Sequence, residues 1–362
     1  MKLPIDLKAV IEAATDIESA RNTPVSVSVL IDDSAPGDVA AHVRSAFVGA
    51  GAHARVTVGY FAGPAFSPYE RDDMAVIVAG FSEEVGRRAA EIRAAGVPVM
   101  VVTSMPCLVA DMASAYGNPI PEGDLVAPEG VEGCEADGDA ACESGDVAGA
   151  NAQSPEILDA PIPIDAAAAA ALDRRMGEWV VAACREKRLA LALSFPFVRR
   201  PLSLEAVSAT SHQNAGIGLV LFIPGADMPL MTLNQAKMLL QIAAAYGEPM
   251  SVARVKELAA IVGSAFACRS VARQVTGAVP AIGWAVKAGV GYAGTKAMGL
   301  AAVEYFERGG NIAGLAGVVS TATAKATQIA GDVAATPAGA RVLSTVKAAV
   351  RQGAASVLKK AE

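Results

Sequence analysis

Nowhere in the 362 residues does a glycine precede a lysine. That missing dipeptide removes the phosphate loop of P-loop nucleotidases, whose Lys neutralises the phosphates while the next hydroxyl holds magnesium. An N-K-x-D guanine reader is missing as well, since the strand end that should carry it reads Thr103-Ser104-Met105-Pro106. The three histidines, His42, His53 and His212, offer no triad with a recognisable nucleophile. Aromatics are 5% of the chain and sparse among its basic residues, and no readout motif appears, which argues against a nucleic-acid partner. The five cysteines (Cys107, Cys134, Cys142, Cys184, Cys268) are odd in number and never form C-x-x-C, the usage of a reducing cytoplasm rather than of a secreted scaffold. Acids recur through the first 20 residues, where a signal peptide needs an unbroken apolar run, and no lipidation motif is visible, so a cytoplasmic location is expected.

Lysine and arginine are also absent from residues 94–173, which carry 14 acidic side chains. Residues 1–93 hold 9 basic and 13 acidic groups and residues 174–362 hold 21 and 10, so a net charge of -7 conceals a cationic C-terminal half. Such a half suits an acidic protein partner or an anionic membrane surface, although scattered cations also simply keep helices soluble.

What is present begins as an α/β pattern. Residues 5–20 have the apolar spacing of an amphipathic lead-in helix, and Val25–Ile31 (VSVSVLI) alternates as a strand. A helix is expected from Pro36-Gly37 to about Gly51, then strands at residues 53–61, 74–79 and 97–102, with a helix capped by Ser82 before the last. Strands alternating with helices predict an open, mostly parallel sheet, a degenerate P-loop-like Rossmannoid, whose ligand edge would be built from Asp32, Asp33, Gly80, Thr103 and Ser104.

Three chemistries compete for that edge. A nucleotide-dependent switch would need an atypical phosphate loop at residues 32–37, where Asp38 stands against a triphosphate. A phosphoacceptor receiver resembles the Asp32-Asp33 pair and the Thr103-Ser104 pair, but the third strand ends in Ala79-Gly80-Phe81 without the accepting acid. Mg²⁺ chelation by Asp32 and Asp33 is the third; adjacent acids in a turn are more often plain Asx-turn and helix-start residues.

Residues 118–160 are Gly, Pro, Ala and acid and read as a disordered insertion, in which Cys134 and Cys142 fit no zinc spacing. Asp165 should cap an Ala-rich helix to about Lys187, and residues 189–195 (LALALSF) read as one more strand closing the sheet. The next stretch, Pro196 to Pro201, leads out of the domain. An apolar run at residues 217–223 then stops at Pro224-Gly225 and restarts as a helix capped by Thr232 or Asn234.

The second half reads as helical. Asn234-Gln235 open a helix that Tyr246-Gly247 close; Arg269 lies in the next; Pro280-x-x-Gly283 starts a third, which carries Thr295-x-x-x-Gly299 and Tyr305-Phe306. In these ordered residues, about 205–308, the chain resembles the YcjF-type domain of unknown function, found in bacterial membrane-linked proteins and often attached to Era-like or dynamin-like GTPases. The resemblance implies that the α/β half is a degenerate G domain, and the family brings no established reaction. Apolar stripes on residues 238–245 and 255–262 predict a helical hairpin. Arg269 is either a rim charge or a partner for Asp227.

Gly289 to Gly294 spells G-x-G-x-x-G but follows no strand, so helix packing is the expected use. The third helix is long enough to cross a bilayer, yet Lys287 and Lys296 sit on opposite sides of its middle, which favours a soluble bundle over a re-entrant hairpin. Residues 338–360 form a basic amphipathic stretch suited to a membrane surface or a bundle flank.

The expected organisation is thus α/β at 1–117, the acidic insertion at 118–160, completion of the α/β domain at 161–204, helical domain at 205–310 and basic tail at 311–362. No metal, cofactor or catalytic residue is assigned. The leading expectation is a non-enzymatic binding or scaffold protein, peripheral to the inner membrane, acting through Asp227, Asn234, Gln235, Arg269, Thr295 and Gly299. The nucleotide switch and the receiver-like regulator are its alternatives.

Overall fold

The computed structural model describes residues 7–62, 71–128, 164–220, 227–251, 253, 256, 283–315, 317–319 and 321. Two units divide the chain: residues 23–198, and residues 1–22 together with 199–362. The lead-in helix α1 (Leu7–Arg21) belongs to the second. It packs on α8 (Asp227–Ala245), with Val10, Ala14 and Ile17 buried. Periodicity foretold the helix, with Val10 and Ala14 in its apolar stripe, but placed it with the α/β half.

In the first unit the alternation of Val25–Ile31 produces β1, which pairs in parallel with β2 (Ala54–Tyr60) on one side and β3 (Met74–Val78) on the other. Strand β4 (Val99–Val102) follows, and a two-residue β5 (Leu125–Val126) completes an all-parallel sheet of order β2-β1-β3-β4-β5. That is a doubly wound order whose direction reverses between β1 and β3, the place where such sheets bind ligands.

Helix α2 (Gly37–Val48) connects β1 to β2, α3 (Glu84–Ala94) connects β3 to β4, and α4 (Pro106–Ala115) leads towards β5. Leu30, Ala75, Ile77, Val99 and Val101 on one face pack with Val85, Ala89 and Ile92 of α3 and Val109 and Ala113 of α4. On the other, His42 of α2 meets Asp173 of α5 (Ala166–Ala183) at 2.8 Å. Strands β3 and β4 are buried at every position, which is why MAVIV and VMVV read as continuous apolar runs rather than as alternation.

The stretch expected to be disordered from residue 118 remains ordered to residue 128 and supplies β5; residues 129–163 lie outside the described residues. Asp165 caps α5 as expected, its Oδ1 accepting from the Ala168 N–H at 2.8 Å. The expected closing strand is instead a helix, α6 (Arg188–Ser194), in which Ala190, Leu191, Ala192 and Ser194 are buried. Leu and Ala are strong helix formers without β-branching, and burial on several sides hides the helical period behind an apparent alternation. Of the cysteines, Cys184 is a buried free thiol whereas Cys107 is disulfide-bonded, contrary to a fully reduced set.

Pro196 to Pro201 leads out of the first unit as expected, since that unit ends at Val198, and it does so as the start of the 25-residue α7 (Pro196–Val220), with Pro201 inside it. Pro196 is tolerated at the first helical position, where the N–H has no intrahelical partner, whereas Pro201, in the second turn, forgoes a bond to the Phe197 carbonyl. Helix α8 begins at Asp227, upstream of the expected caps, so Thr232 and Asn234 are interior positions. It ends as foreseen: Gly247 takes φ +91°, with its N–H on the Ala244 carbonyl and the Glu248 N–H on that of Ala243. Helix α9 (Gly283–Glu307) contains the whole G-x-G-x-x-G match, so those glycines form no phosphate loop. No helix among the described residues is long and apolar enough to cross a membrane. The second helix expected at residues 254–273, with Arg269, and the basic helix expected at 338–360 lie outside the described residues, apart from residue 256.

Candidate functional site

At the carboxyl edge of the sheet, Asp32 follows β1 directly and is 3% exposed. Its N–H still donates to the Val78 carbonyl at 2.9 Å, so its side chain stands at the reversal point between β1 and β3. There Oδ1 accepts from the Ser34 N–H (3.0 Å) and the Ser34 hydroxyl (2.8 Å), while Oδ2 accepts from the N–H groups of Gly80 (2.9 Å) and Ser82 (3.1 Å). A carboxylate has about four lone-pair directions, and four donors occupy them. Ser34 Oγ in turn accepts from the Phe81 N–H at 2.7 Å. The turns after β1 and β3 are thereby sewn together.

Gly80 makes this closure possible. A Cβ there would lie 2.5 Å from the Ala35 nitrogen and closer still to the Ser34 carbonyl group, so any side chain would drive the turns apart.

Backbone N–H groups converging at such an edge are what an incoming phosphate ordinarily finds. Here the chain's own carboxylate takes the N–H groups of Ser34, Gly80 and Ser82. The same arithmetic removes Asp32 as a ligand for Mg²⁺, which needs lone pairs left free. Asp33 is exposed and faces another way, its Oδ2 accepting from the Ala62 N–H at 2.7 Å beyond β2. Asp32 therefore closes an Asx turn on Ser34, whereas Asp33 ties down the chain after β2 across 29 residues, which is no Asx turn. No cluster of three or more His, Cys, Asp or Glu suited to a metal occurs among the described residues. Asp38, the acid set against a triphosphate, accepts from the N–H groups of Ile164 and Val39, and the Ile164 bond chiefly lowers its pKa.

Thr103 and Ser104 are fully buried between β4 and α4. Thr103 donates its N–H to the Val126 carbonyl, and its Oγ1 accepts from the Met105 N–H at 3.1 Å, a local turn bond at the start of α4. Ser104 Oγ is buried without a hydrogen-bond partner. Sequence spacing brought these residues to the correct edge, but as turn-formers and core rather than as groups aimed at a ligand.

Sequence reading passed over the opposite edge. An open cleft of about 550 Å³ there is lined by His53, Arg55, Arg71, Asp73 and Lys187. Lys187 Nζ lies 2.7 Å from Asp73 Oδ1 and donates to the Pro24 carbonyl at 3.1 Å. The buried Asp72 accepts from the hydroxyls of Ser26 (2.6 Å) and Ser28. Serines alternating with valines along β1 were the available signal, being polar residues on an otherwise apolar strand. Cys184 lies beneath, and burial, reinforced by Asp73, pushes its thiol up to about 12.

In the helical unit, four polar side chains from three helices meet in the interior. Asn214 of α7 donates from Nδ2 to Thr295 Oγ1 of α9 at 2.9 Å, and Gln235 of α8 donates to the same oxygen at 2.8 Å. Asn234 donates to Asn214 Oδ1 at 3.0 Å. Asn214, Gln235 and Thr295 are at most 1% exposed. One turn along α9, a Cβ at Gly299 would lie 2.8 Å from Val207 Cγ1, so α7 and α9 approach here at glycine distance. Asn234, Gln235, Thr295 and Gly299, singled out as candidate interaction residues, are thus brought together, with Asn234 part-buried and the other three inside the bundle. Asn214 was missed. Asp227 begins α8, and Arg269 is outside the described residues, so their pairing is not among the described contacts.

The end of this unit is aromatic. Tyr246 stacks on Phe306 with centroids 6.0 Å apart, and the turn at Gly310 folds over the Tyr305 ring. The Tyr246 hydroxyl is buried beside Glu307, and burial first, then that charge, raises its pKa.

No family model, no characterised protein and no solved structure matches this chain.

Proposed function

We propose that the chain is a non-enzymatic binding or scaffold protein in which a catalytically silent α/β unit accompanies a YcjF-type helical unit. The observation that supports silence is the Asp32 carboxylate, which occupies with four hydrogen bonds the donors that a phosphate would use at the β1/β3 reversal. The description as a pseudo-GTPase rests on the missing nucleotide motifs. A second reading, a receiver-like regulator that is never phosphorylated, is favoured by the β2-β1-β3-β4-β5 order, which receivers and flavodoxins share. It is favoured too by an acid pair after β1 with no acid ending β3.

Binding is assigned to the cationic residues of the C-terminal half, with an acidic protein or an anionic membrane surface as partner and a place at the inner membrane. Isothermal titration of the full chain with GTP and ATP in the presence of Mg²⁺ is expected to give no heat of binding. Micromolar affinity for either would end the silent reading. Acetyl phosphate with Mg²⁺ is expected to leave the intact mass unchanged, and a phosphoryl adduct would overturn both readings. Flotation with anionic vesicles is expected to carry the protein upward in low salt, and its failure would remove the membrane as partner.

A further inference from the structure

Strand β2 is one edge of the sheet, and the two edges are built differently. At the far edge β5 is two residues long. It is enclosed by Arg175, which donates to the Ala127 carbonyl at 2.9 Å, and by Asp124, which holds Arg93 at 2.7 Å and the Trp179 Nε1 at 3.3 Å. Natural sheets protect an edge by such shortness and cover, or by lysine, proline or a bulge within the strand. Among the described residues, none of these devices appears in β2. Its seven residues, ARVTVGY, run in unbroken register along β1 with Arg55 as their single charge.

The ladder with β1 determines which backbone groups are spent. Val25 donates its N–H to the His53 carbonyl, and Phe61 donates to the Ile31 carbonyl. Odd-numbered residues of β2 therefore face β1, and Val56, Val58 and Tyr60 turn their N–H and C=O outward. Among the described residues these outward groups have no hydrogen-bond partner. Their side chains share one face, and Val58 and Tyr60 are 40% and 43% exposed.

We infer that β2 pairs antiparallel with β2 of a second copy of this chain, joining two sheets across a twofold axis at Val58. The pattern fits itself in that register. Outward-facing residues must oppose one another in hydrogen-bonded pairs, so Val58 meets Val58 and Val56 meets Tyr60 of the other copy. On that face every cross-strand pair is apolar, and a β-branched residue opposite an aromatic is a favourable sheet pair. On the other face Thr57 meets Gly59, and Arg55 meets Phe61, so no like charges oppose. An isologous contact requires this self-complementarity. An unrelated extended peptide does not, and a strand with one cation and no acid offers such a peptide little charge to select it.

The test is sedimentation equilibrium of the full chain over a range of concentrations, alongside Val58→Pro and Val58→Lys. Proline at this position removes only an outward N–H, so the β1–β2 ladder survives; lysine places like charges across the axis. The native chain is expected to be a dimer and both variants monomers with unchanged far-UV circular dichroism. Should Val58→Pro lose its fold, Val58→Lys decides alone. A native chain that sediments as a monomer throughout, or folded variants that remain dimeric, would overturn the inference.

Discussion

The Asp32 carboxylate crosses from the end of β1 to the Gly80 N–H at 2.9 Å, closing the sheet edge from within. An acid there does for the N–H groups what a bound anion would do, and it does so permanently. Removing that acid therefore has two separable consequences.

The first is on stability. Asp32→Ala leaves the N–H groups of Ser34, Gly80 and Ser82 in or near the interior without an acceptor, and is expected to destabilise the fold by about 3 kcal/mol or more. Urea unfolding measures it, and a loss under about 1 kcal/mol would show that the bonds are incidental. The second is on ligands. In Asp32→Ser the vacated donors should accept a small anion, so inorganic phosphate is expected to raise the melting temperature of the variant but not of the native chain.

Gly80→Ala is expected to lower stability by roughly 1–3 kcal/mol, because its Cβ would collide with backbone rather than with a movable side chain. Gly37→Ala is the matched control. Nothing lies within 4 Å of a Cβ at Gly37, in the first turn of α2, and its change should be neutral or stabilising by about 0.5 kcal/mol. Equal effects at the two positions would remove the case for a close approach at Gly80.

Thr295→Val keeps the shape of the side chain but deletes the oxygen that Asn214 and Gln235 share. Two buried amides lose an acceptor, and the expected loss is about 2–4 kcal/mol, read from chemical denaturation followed through the helical signal. Replacing Asn214, Asn234 and Gln235 together with leucine in the Thr295→Val background should recover part of it, since an apolar core without orphaned groups replaces a broken network.

Cys184 sets a dependence on alkaline pH. Its folded pKa of about 12 exceeds that of an unfolded thiol, about 8.5. The unfolded chain therefore loses its proton first. The native state's advantage at this residue is complete below about pH 8.5 and disappears as pH rises towards 12. Relative to Cys184→Ala, the native chain should lose stability across that window, by an amount on the order of a few kcal/mol. At pH 7 the thiol is expected to react with disulfide reagents only as the protein unfolds.

What could be read in advance depended on range along the chain. Strands β1 and β3 and helix α2 were legible because β-branched runs and a Pro-Gly start act within a few residues. The Asx turn at Asp32 was legible for the same reason. The closure of Ser34 over Gly80 was not, since it joins positions 46 residues apart and nothing local in Ala79-Gly80-Phe81 points to it. Strand β5 escaped because two residues carry no period, and α6 was mistaken for a strand because LALALS alternates in size while its residue types favour helix. Asn234, Gln235 and Thr295 were named as interaction candidates, yet the pattern alone did not say whether they faced outward or inward. Their destination emerges only once three helices surround them.

The order of synthesis gives the placement of α1 a temporal meaning. Arg21, at its end, donates to the carbonyls of Glu248 (2.7 Å) and Gly247 (3.3 Å), more than 220 residues later. The ribosome must therefore deliver the entire α/β unit before the first helix meets its seat on α8. Until then a greasy stripe of Val10, Ala14 and Ile17 lacks its cover, a surface that a chaperone would recognise on the nascent chain. Ejecting it from a finished molecule would uncover its seat on α8 and undo one wall of the bundle.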